Sequence, residues 1–416
     1  GESFTEAGRD MAESEKAAKY LQDAGYDMLN CDNGTYDAWY WAHPPIYMPE
    51  NCNLEDVAHI RKFVDIPVVC AGRMDPETAA AAIAEGKIDG AGFARQFLAD
   101  QEWVTKLMND KEDDIRPCIL CHNGCFNMCH YKGVPNDQAL SDSLHLARCA
   151  VNAETMQWEK HKIVPTTSPK KVHIIGGGIG GMEAARVLKL RGHEPVIHEQ
   201  TDHLGGTFIA ASAESYKGKL RDLLTWYRKQ MADLKIEIHY NEKVESIAPF
   251  ASAPVIIATG AVPRVLKKVP ACEYLTGTPV GEKVAVIGGG LTGCEIAYEL
   301  ALQGKQPVIV EMKNDLIAQT GVCLANSSYL REWFAWKKVP VYLETTLQEV
   351  KDDSIVCKDA SGKEITIPCD SVISSAGYIP NPLAPKGSNV SLVGDCDGVG
   401  NLRSVVWRAY EVAMKI

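Results

Sequence analysis

The chain has 416 residues, 46% hydrophobic and 23% charged, which is an ordinary soluble globular composition with room for two or three cores. A formal net charge of −11 argues against nucleic acid or an anionic membrane as the main partner, because both reward a basic face. No stretch approaches the ~18 apolar residues of a membrane span, and the polar start GESFTEAGRDMAESEK cannot be a signal peptide. Fourteen cysteines without an export signal point to reduced thiols, to metal or redox chemistry, and to the cytoplasm.

The chain opens with alternating helix and strand signals. RDMAESEKAAKYLQDAG predicts a helix that leads into the short strand YDMLNC at 26–31. LEDVAHIRKFVD with IPVVCAG, then PETAAAAIAEG with IDGAGFA, repeat the pattern. Such alternation gives parallel strands joined by crossover helices. The segment RPCILCHNGCFNMCH follows and places Cys118, Cys121, Cys125 and Cys129 within twelve positions. Three close thiolates need a fourth to hold a [4Fe–4S] cluster, and Cys129 and Cys149 compete for that place. A structural zinc ion suits thiolates equally well. The Pro/Thr/Ser stretch IVPTTSPKK then marks a domain boundary.

From Lys171 the pattern restarts twice. KVHIIGGGIGGMEAARVLKLRGHEPVIHEQ and KVAVIGGGLTGCEIAYELALQGKQPVIVEM are near-copies, each a strand, a glycine turn, a helix and a second strand ending in glutamate. Both read as βαβ nucleotide-binding units. In the first, Gly176 permits the tight turn and Gly178 lets backbone approach a pyrophosphate. Gly181 allows close helix packing, and Glu199 can accept from ribose hydroxyls. Gly288, Gly290, Gly293 and Glu311 repeat the set. A carboxylate at Glu311 repels a 2′-phosphate and so favours NADH over NADPH, although Lys313 lies close by.

VIIATGAVPR at 255–264 and VSLVGDC at 390–396 complete a pattern that resembles the two-dinucleotide-domain flavoprotein reductases. The resemblance implies FAD on the first unit, with Gly206 and Asp395 among its contacts, and an inserted NAD domain. The order of barrel end, cysteines, FAD domain and NAD domain resembles, over the whole chain, the 2-enoate reductase and 2,4-dienoyl-CoA reductase family. These are iron–sulfur members of the old yellow enzyme superfamily.

That resemblance implies the C-terminal part of an FMN-binding TIM barrel at 1–115 and a cluster segment with linker at 116–168. It implies an FAD domain at 169–281 and 372–416 and an inserted NAD(H) domain at 282–371. Cys149-Ala-Val-Asn152 matches the family's returning Cys-x-x-Asn, so Cys149 becomes the expected fourth ligand and Cys129 the reserve. Gly72, Arg73, Ala94 and Arg95 match the FMN phosphate loops. Tyr36, in the long loop 30–52, matches the position where dienoyl-CoA reductases carry a histidine near flavin and substrate, which implies either a phenol that orients or protonates substrate or an aromatic packing role; Trp39, His43 and Tyr47 become candidate pocket walls.

A barrel needs eight strands and ~250 residues, yet only three strands precede the cysteines. The start without methionine agrees with a truncated chain whose open barrel exposes apolar surface. The implied activity is NADH-dependent reduction of the activated C=C bond of a small unsaturated substrate, first a 2-enoate. Electrons would run from NADH through FAD and the cluster to FMN. A bile-acid 3-oxo-Δ4 steroid or a 2,4-dienoyl-CoA is the alternative substrate, and an electron-transfer module that merely oxidises NADH is the rival of another class. A homo-oligomer is expected for the full-length enzyme.

Overall fold

The computed structural model describes residues 8–35, 37–129, 146–264, 266, 269–319 and 321–416. The chain is α/β throughout, with three parallel sheets in succession. The first holds Leu29–Cys31, Val68–Ala71 and Gly90–Gly92 side by side in chain order, in parallel register. Asp75 starts the helix Pro76–Ala84 by accepting from the Thr78 amide at 2.8 Å, with Pro76 preset for the first turn. Leu29, Val68, Val57, Ile60 and Ile88 close a small core of their own. Tyr20, Tyr26 and Met28 stay exposed on this unit.

The second sheet is five-stranded and parallel. From one edge to the other it runs Val390–Leu392, Val255–Ile257, Lys171–Ile175, Glu194–His198 and Glu237–His239. Its strands are near-continuous apolar runs because both faces are covered. Val172, Ile174 and Ile197 pack under the helix Ile179–Leu190, which in turn lies against the last helix, Leu402–Lys415. Ile175, Val255, Ile257 and Leu392 face the other way, toward Phe250.

The third sheet repeats the second, with Val341–Tyr342, Gln306–Val310, Lys283–Ile287, Ser371–Ser374 and Val269–Pro270 in that order, all parallel. An antiparallel sheet of Thr346–Val350, Ser354–Lys358 and Glu364–Pro368 covers one face. The expected limits of 282 and 371 need correction. Val269 pairs with Ile373, so the third unit begins before residue 282 and keeps 371–374. The outgoing Ala261–Pro263 and the returning Tyr378–Pro380 pair as an antiparallel ribbon between the units. Two strands crossing a seam side by side satisfy each other's backbone groups, and periodicity does not reveal that partnership.

Candidate functional site: two glycine cradles and a cysteine cavity

Both glycine turns are built to the same plan. Gly176 sits at φ 109°, and a side chain there would lie 2.5 Å from the Ala258 carbonyl oxygen. A Cβ on Gly181 would meet the Gly176 carbonyl oxygen at 2.0 Å, so helix and turn touch only because both are glycine. Gly178 begins the helix Ile179–Leu190 with nothing within 4 Å of where its Cβ would be, which leaves the helix mouth open to an anion. Glu199 accepts from the Gly177 amide at 2.8 Å and from the Thr201 amide and hydroxyl. The Gly205 amide donates to the Gly177 carbonyl at 2.9 Å, and Gly206, at φ 53°, lies against Gly178. The Gly394–Asp397 turn abuts this mouth, a Gly180 Cβ lying 3.7 Å from Gly394 Cα; there Asp395 accepts from the Gly400 amide at 3.1 Å. Burial pushes the Asp395 carboxyl pKa up.

The second cradle repeats this geometry, with Gly288 at φ 108° against the Ser375 carbonyl and Gly293 against Gly288. Glu311 accepts from the Gly289 amide at 2.5 Å and the Lys313 amide at 2.8 Å. Its mouth differs in one respect. Gln319 Oε1 accepts from the Leu291 amide at 3.1 Å and sits over Gly290, so one side chain covers a mouth that is open in the first cradle. Glycine spacing carries no signal for Gln319.

Cys118, Cys121, Cys125 and Cys149 line one cavity, together with Arg95 and Leu98 from the first unit. Leu120 and His122 adopt φ of 57° and 55°, and these turns fold the segment back on itself. Gly124 brings in the distant fourth thiol. A Cβ there would lie 2.6 Å from the Ala150 nitrogen, and the Arg148 amide donates to the Gly124 carbonyl at 2.6 Å. The Cys149 carbonyl accepts from Trp407 Nε1 at 2.8 Å, which ties this corner to the last helix of the second unit. Cys129 lies exposed, its thiol donating to the Phe126 carbonyl at 3.5 Å.

Burial first, then Cys125, pushes the Cys121 thiol well up; burial and Cys118 push Cys125 to about 11 and Cys149 to about 12. Converging thiols that disfavour one another's ionisation are a donor set that a metal cation satisfies. The four residues therefore fit a thiolate-ligated metal group.

Gly72, Arg73, Ala94 and Arg95 come together at one end of the three-stranded sheet. A Cβ on Gly72, at φ 126°, would strike Asn53 Nδ2 at 2.3 Å, and Ala94 precedes the short helix Arg95–Ala99. The guanidinium donors are turned to backbone: Arg73 Nη1 donates to Pro45 and Ile46 at 3.1 and 3.0 Å and also to Met48, and Arg95 Nη1 to Pro44 at 2.8 Å. Arg73 Nε is buried and has no hydrogen-bond partner, so this corner still fits an acceptor such as a phosphate.

A family model for pyridine nucleotide-disulphide oxidoreductases matches residues 170–395, and one for the NADH:flavin oxidoreductase / NADH oxidase family matches 2–114. The chain belongs to the pyridine nucleotide-disulphide oxidoreductase family. It is 38% identical to the cinnamate reductase of Clostridium sporogenes, an alignment covering 100% of this chain and 63% of that protein. It is 32% identical to the bilirubin reductase of Mediterraneibacter gnavus, over 92% of this chain and 61% of the relative. A solved 2-naphthoyl-CoA reductase complex superposes on all of this chain and 64% of its own, with a TM-score of 0.83 and 26% identity. The chain thus spans less than two thirds of the length of these relatives.

A seam joins the two matched parts of the chain. His122 contacts Arg95 Nη1 through Nε2 and Asn326 Oδ1 through Nδ1 at 2.9 Å, while Asn123 Nδ2 donates to the Gly321 carbonyl at 2.6 Å. Burial, reinforced by Arg95, holds the His122 imidazole pKa well below its usual range, so the ring is neutral. The aromatic loop, expected to supply pocket walls, packs at this seam. Trp39 and His43 pack on Phe126 with ring centroids 5.3 and 3.7 Å away, and Tyr47 is buried against Tyr329. Apolar area in a long loop was legible; which surface it covers depends on a unit some 250 residues away along the chain. Tyr36 lies outside the described residues.

Proposed function

We propose that this chain is part of an enzyme that reduces the activated C=C bond of a 2-enoate with NADH as donor. The observation that carries the reading is the cysteine cavity. Its four thiols stand between Arg95 and Leu98 of the first unit and the Trp407 helix of the second. A metal group bound there would lie between residues of both units. The 38% identity to a cinnamate reductase supports an enoate as substrate.

The residues divide the work. Gly176, Gly178, Gly181 and Gly206 would hold the FAD pyrophosphate against the helix mouth. Glu199 would take a ribose hydroxyl, and Asp395 would accept from the ribityl chain. Gly288, Gly290, Gly293 and Glu311 would hold NADH in the same way. Cys118, Cys121, Cys125 and Cys149 would ligate a [4Fe–4S] cluster, and Gly72, Arg73, Ala94 and Arg95 would hold the FMN phosphate. When bound, these groups supply hydride acceptance from NADH, single-electron transfer in the middle and hydride delivery to the alkene. Tyr36 is the proposed proton donor or orienting phenol.

Fourteen free cysteines and the oxygen-sensitive chemistry of such clusters support a reduced, cytoplasmic setting. No helix among the described residues is long and apolar enough to cross a membrane. The deciding experiment is anaerobic NADH-dependent turnover by the complete gene product across cinnamate, crotonate, a dienoyl-CoA and a 3-oxo-Δ4 steroid. Turnover of cinnamate or crotonate is expected. Activity confined to the steroid or the thioester overturns the substrate, and NADH oxidation with none of the four overturns the reductase reading.

A further inference from the structure

The structure assigns a divalent transition-metal site to His198, His239 and Glu242, at the edge of the second sheet and beside the strand end that leads into the first glycine cradle. This site stands apart from the electron-transfer reading and does not depend on it. His173, His198 and His239 come from three neighbouring parallel strands. His198 stands directly opposite His239, and the three rings share the face on which Phe250 packs. One ligand atom from each of His198, His239 and Glu242 lies within 4.8 Å of the other two.

Both rings turn one nitrogen on the same carboxylate, a convergence that a cation can use. His198 Nδ1 lies 3.0 Å from Glu242 Oε1, and His239 Nδ1 lies 2.8 Å from Glu242 Oε2. Each ring is also held from behind. His198 Nε2 is 2.9 Å from His173 Nδ1, and His239 Nε2 is 2.8 Å from Glu237 Oε1. A metal-bound histidine gives its outer N–H to such an acceptor, which fixes the ring and raises its basicity. In that tautomer both inner nitrogens are lone pairs turned on one carboxylate, and a cation between them removes the repulsion.

Two imidazoles and a carboxylate suit a Zn2+-like ion in a tetrahedral site with one position left to water. Metal–ligand bonds of roughly 2.0–2.2 Å place tetrahedral ligand atoms about 3.4 Å apart. The present contacts therefore need to open by about half an ångström, which lies within the freedom of the half-buried Glu242 side chain. His198 is buried and immediately precedes Glu199, the carboxylate that holds the Gly177 amide. An ion here would tie two strand ends together beneath the first glycine turn.

Anaerobic titration with Co2+ of purified protein whose four-cysteine cavity is already metal-loaded, followed by visible spectroscopy and thermal melting, tests the site. One equivalent should bind with ligand-field bands but no thiolate charge-transfer band, and it should raise the melting temperature. His239→Gln should abolish that equivalent. Glu237→Gln, which removes only the outer partner of the ring, should weaken it roughly 10–100-fold. Both positions are exposed, and an unchanged circular dichroism spectrum shows that the fold is retained. Unchanged affinity in either variant, a thiolate band from the tight equivalent, or no saturable uptake overturns the assignment.

Discussion

The Tyr47 hydroxyl donates a 2.7 Å hydrogen bond to Glu295 Oε1, joining a loop of the first unit to a helix of the third inside the protein. Burial first, then Glu295, pushes the phenol pKa well up, so it remains a donor. Tyr47→Phe removes that donor from a carboxylate that keeps a second partner in Lys217. The expected cost is about 1–3 kcal/mol, seen as a lower urea midpoint at unchanged slope. An unchanged midpoint would show that the contact contributes nothing to holding the units together.

Lys217 stands at the centre of the same hub, 2.7 Å from Glu295 Oε2 and 3.1 Å from Glu214 Oε2, and all three groups are buried. Burial alone would lower the ammonium pKa, but Glu295 and Glu214 outweigh it and hold the pKa raised. Replacing Lys217 with Met leaves two buried carboxylates without their cation. A loss of about 3–5 kcal/mol is expected from chemical denaturation, larger than that of Tyr47→Phe.

The hub also makes a pH prediction. Burial pushes Glu214 up to about 7 from an ordinary 4.5, with Glu295 adding to the shift and Lys217 opposing it. The folded chain therefore holds an extra proton between these values. The stability from this group is complete below pH 4.5 and is lost as pH rises to about 7. The stability of wild type minus that of Glu214→Gln should fall across this window and level off above it. A difference that is flat or rises with pH contradicts the assignment.

For the cysteine cavity, Cys149→Ser should lose iron and acid-labile sulfide from the anaerobically purified protein. Cys129→Ser should retain both, because Cys129 lies outside the cavity. The opposite pattern would make Cys129 the fourth ligand. Zinc in place of iron in the wild type would make the site structural.

Paired glycine substitutions should separate the two nucleotides. A Cβ on Gly181 overlaps the Gly176 carbonyl, so Gly181→Ala should give protein depleted of FAD by its flavin absorbance. Gly293→Ala strains only the second cradle, where a Cβ would lie 1.9 Å from the Gly288 carbonyl. It should keep its flavin and lose NADH affinity, measured by NADH titration of the bound flavin. Loss of flavin from both variants would mean that the cradles do not act separately.

What the sequence determined by itself was local. A strand, a glycine turn, a helix and a closing acid occupy about thirty consecutive residues, and Gly176 through Glu199 formed the cradle that this spacing implies because every partner lies within reach of one turn. The same holds for Cys118, Cys121 and Cys125, which converge through two left-handed residues between them. The tertiary structure decided whatever required two distant stretches to meet. Cys149 reaches the cavity because Gly124 lets another backbone pass within contact, Val269 joins the third sheet through Ile373, and Tyr47 meets Glu295 across the units. Spacing along a chain constrains torsions over a few residues, whereas contacts across a seam are selected by burial and by satisfaction of polar groups, and a linear pattern encodes neither.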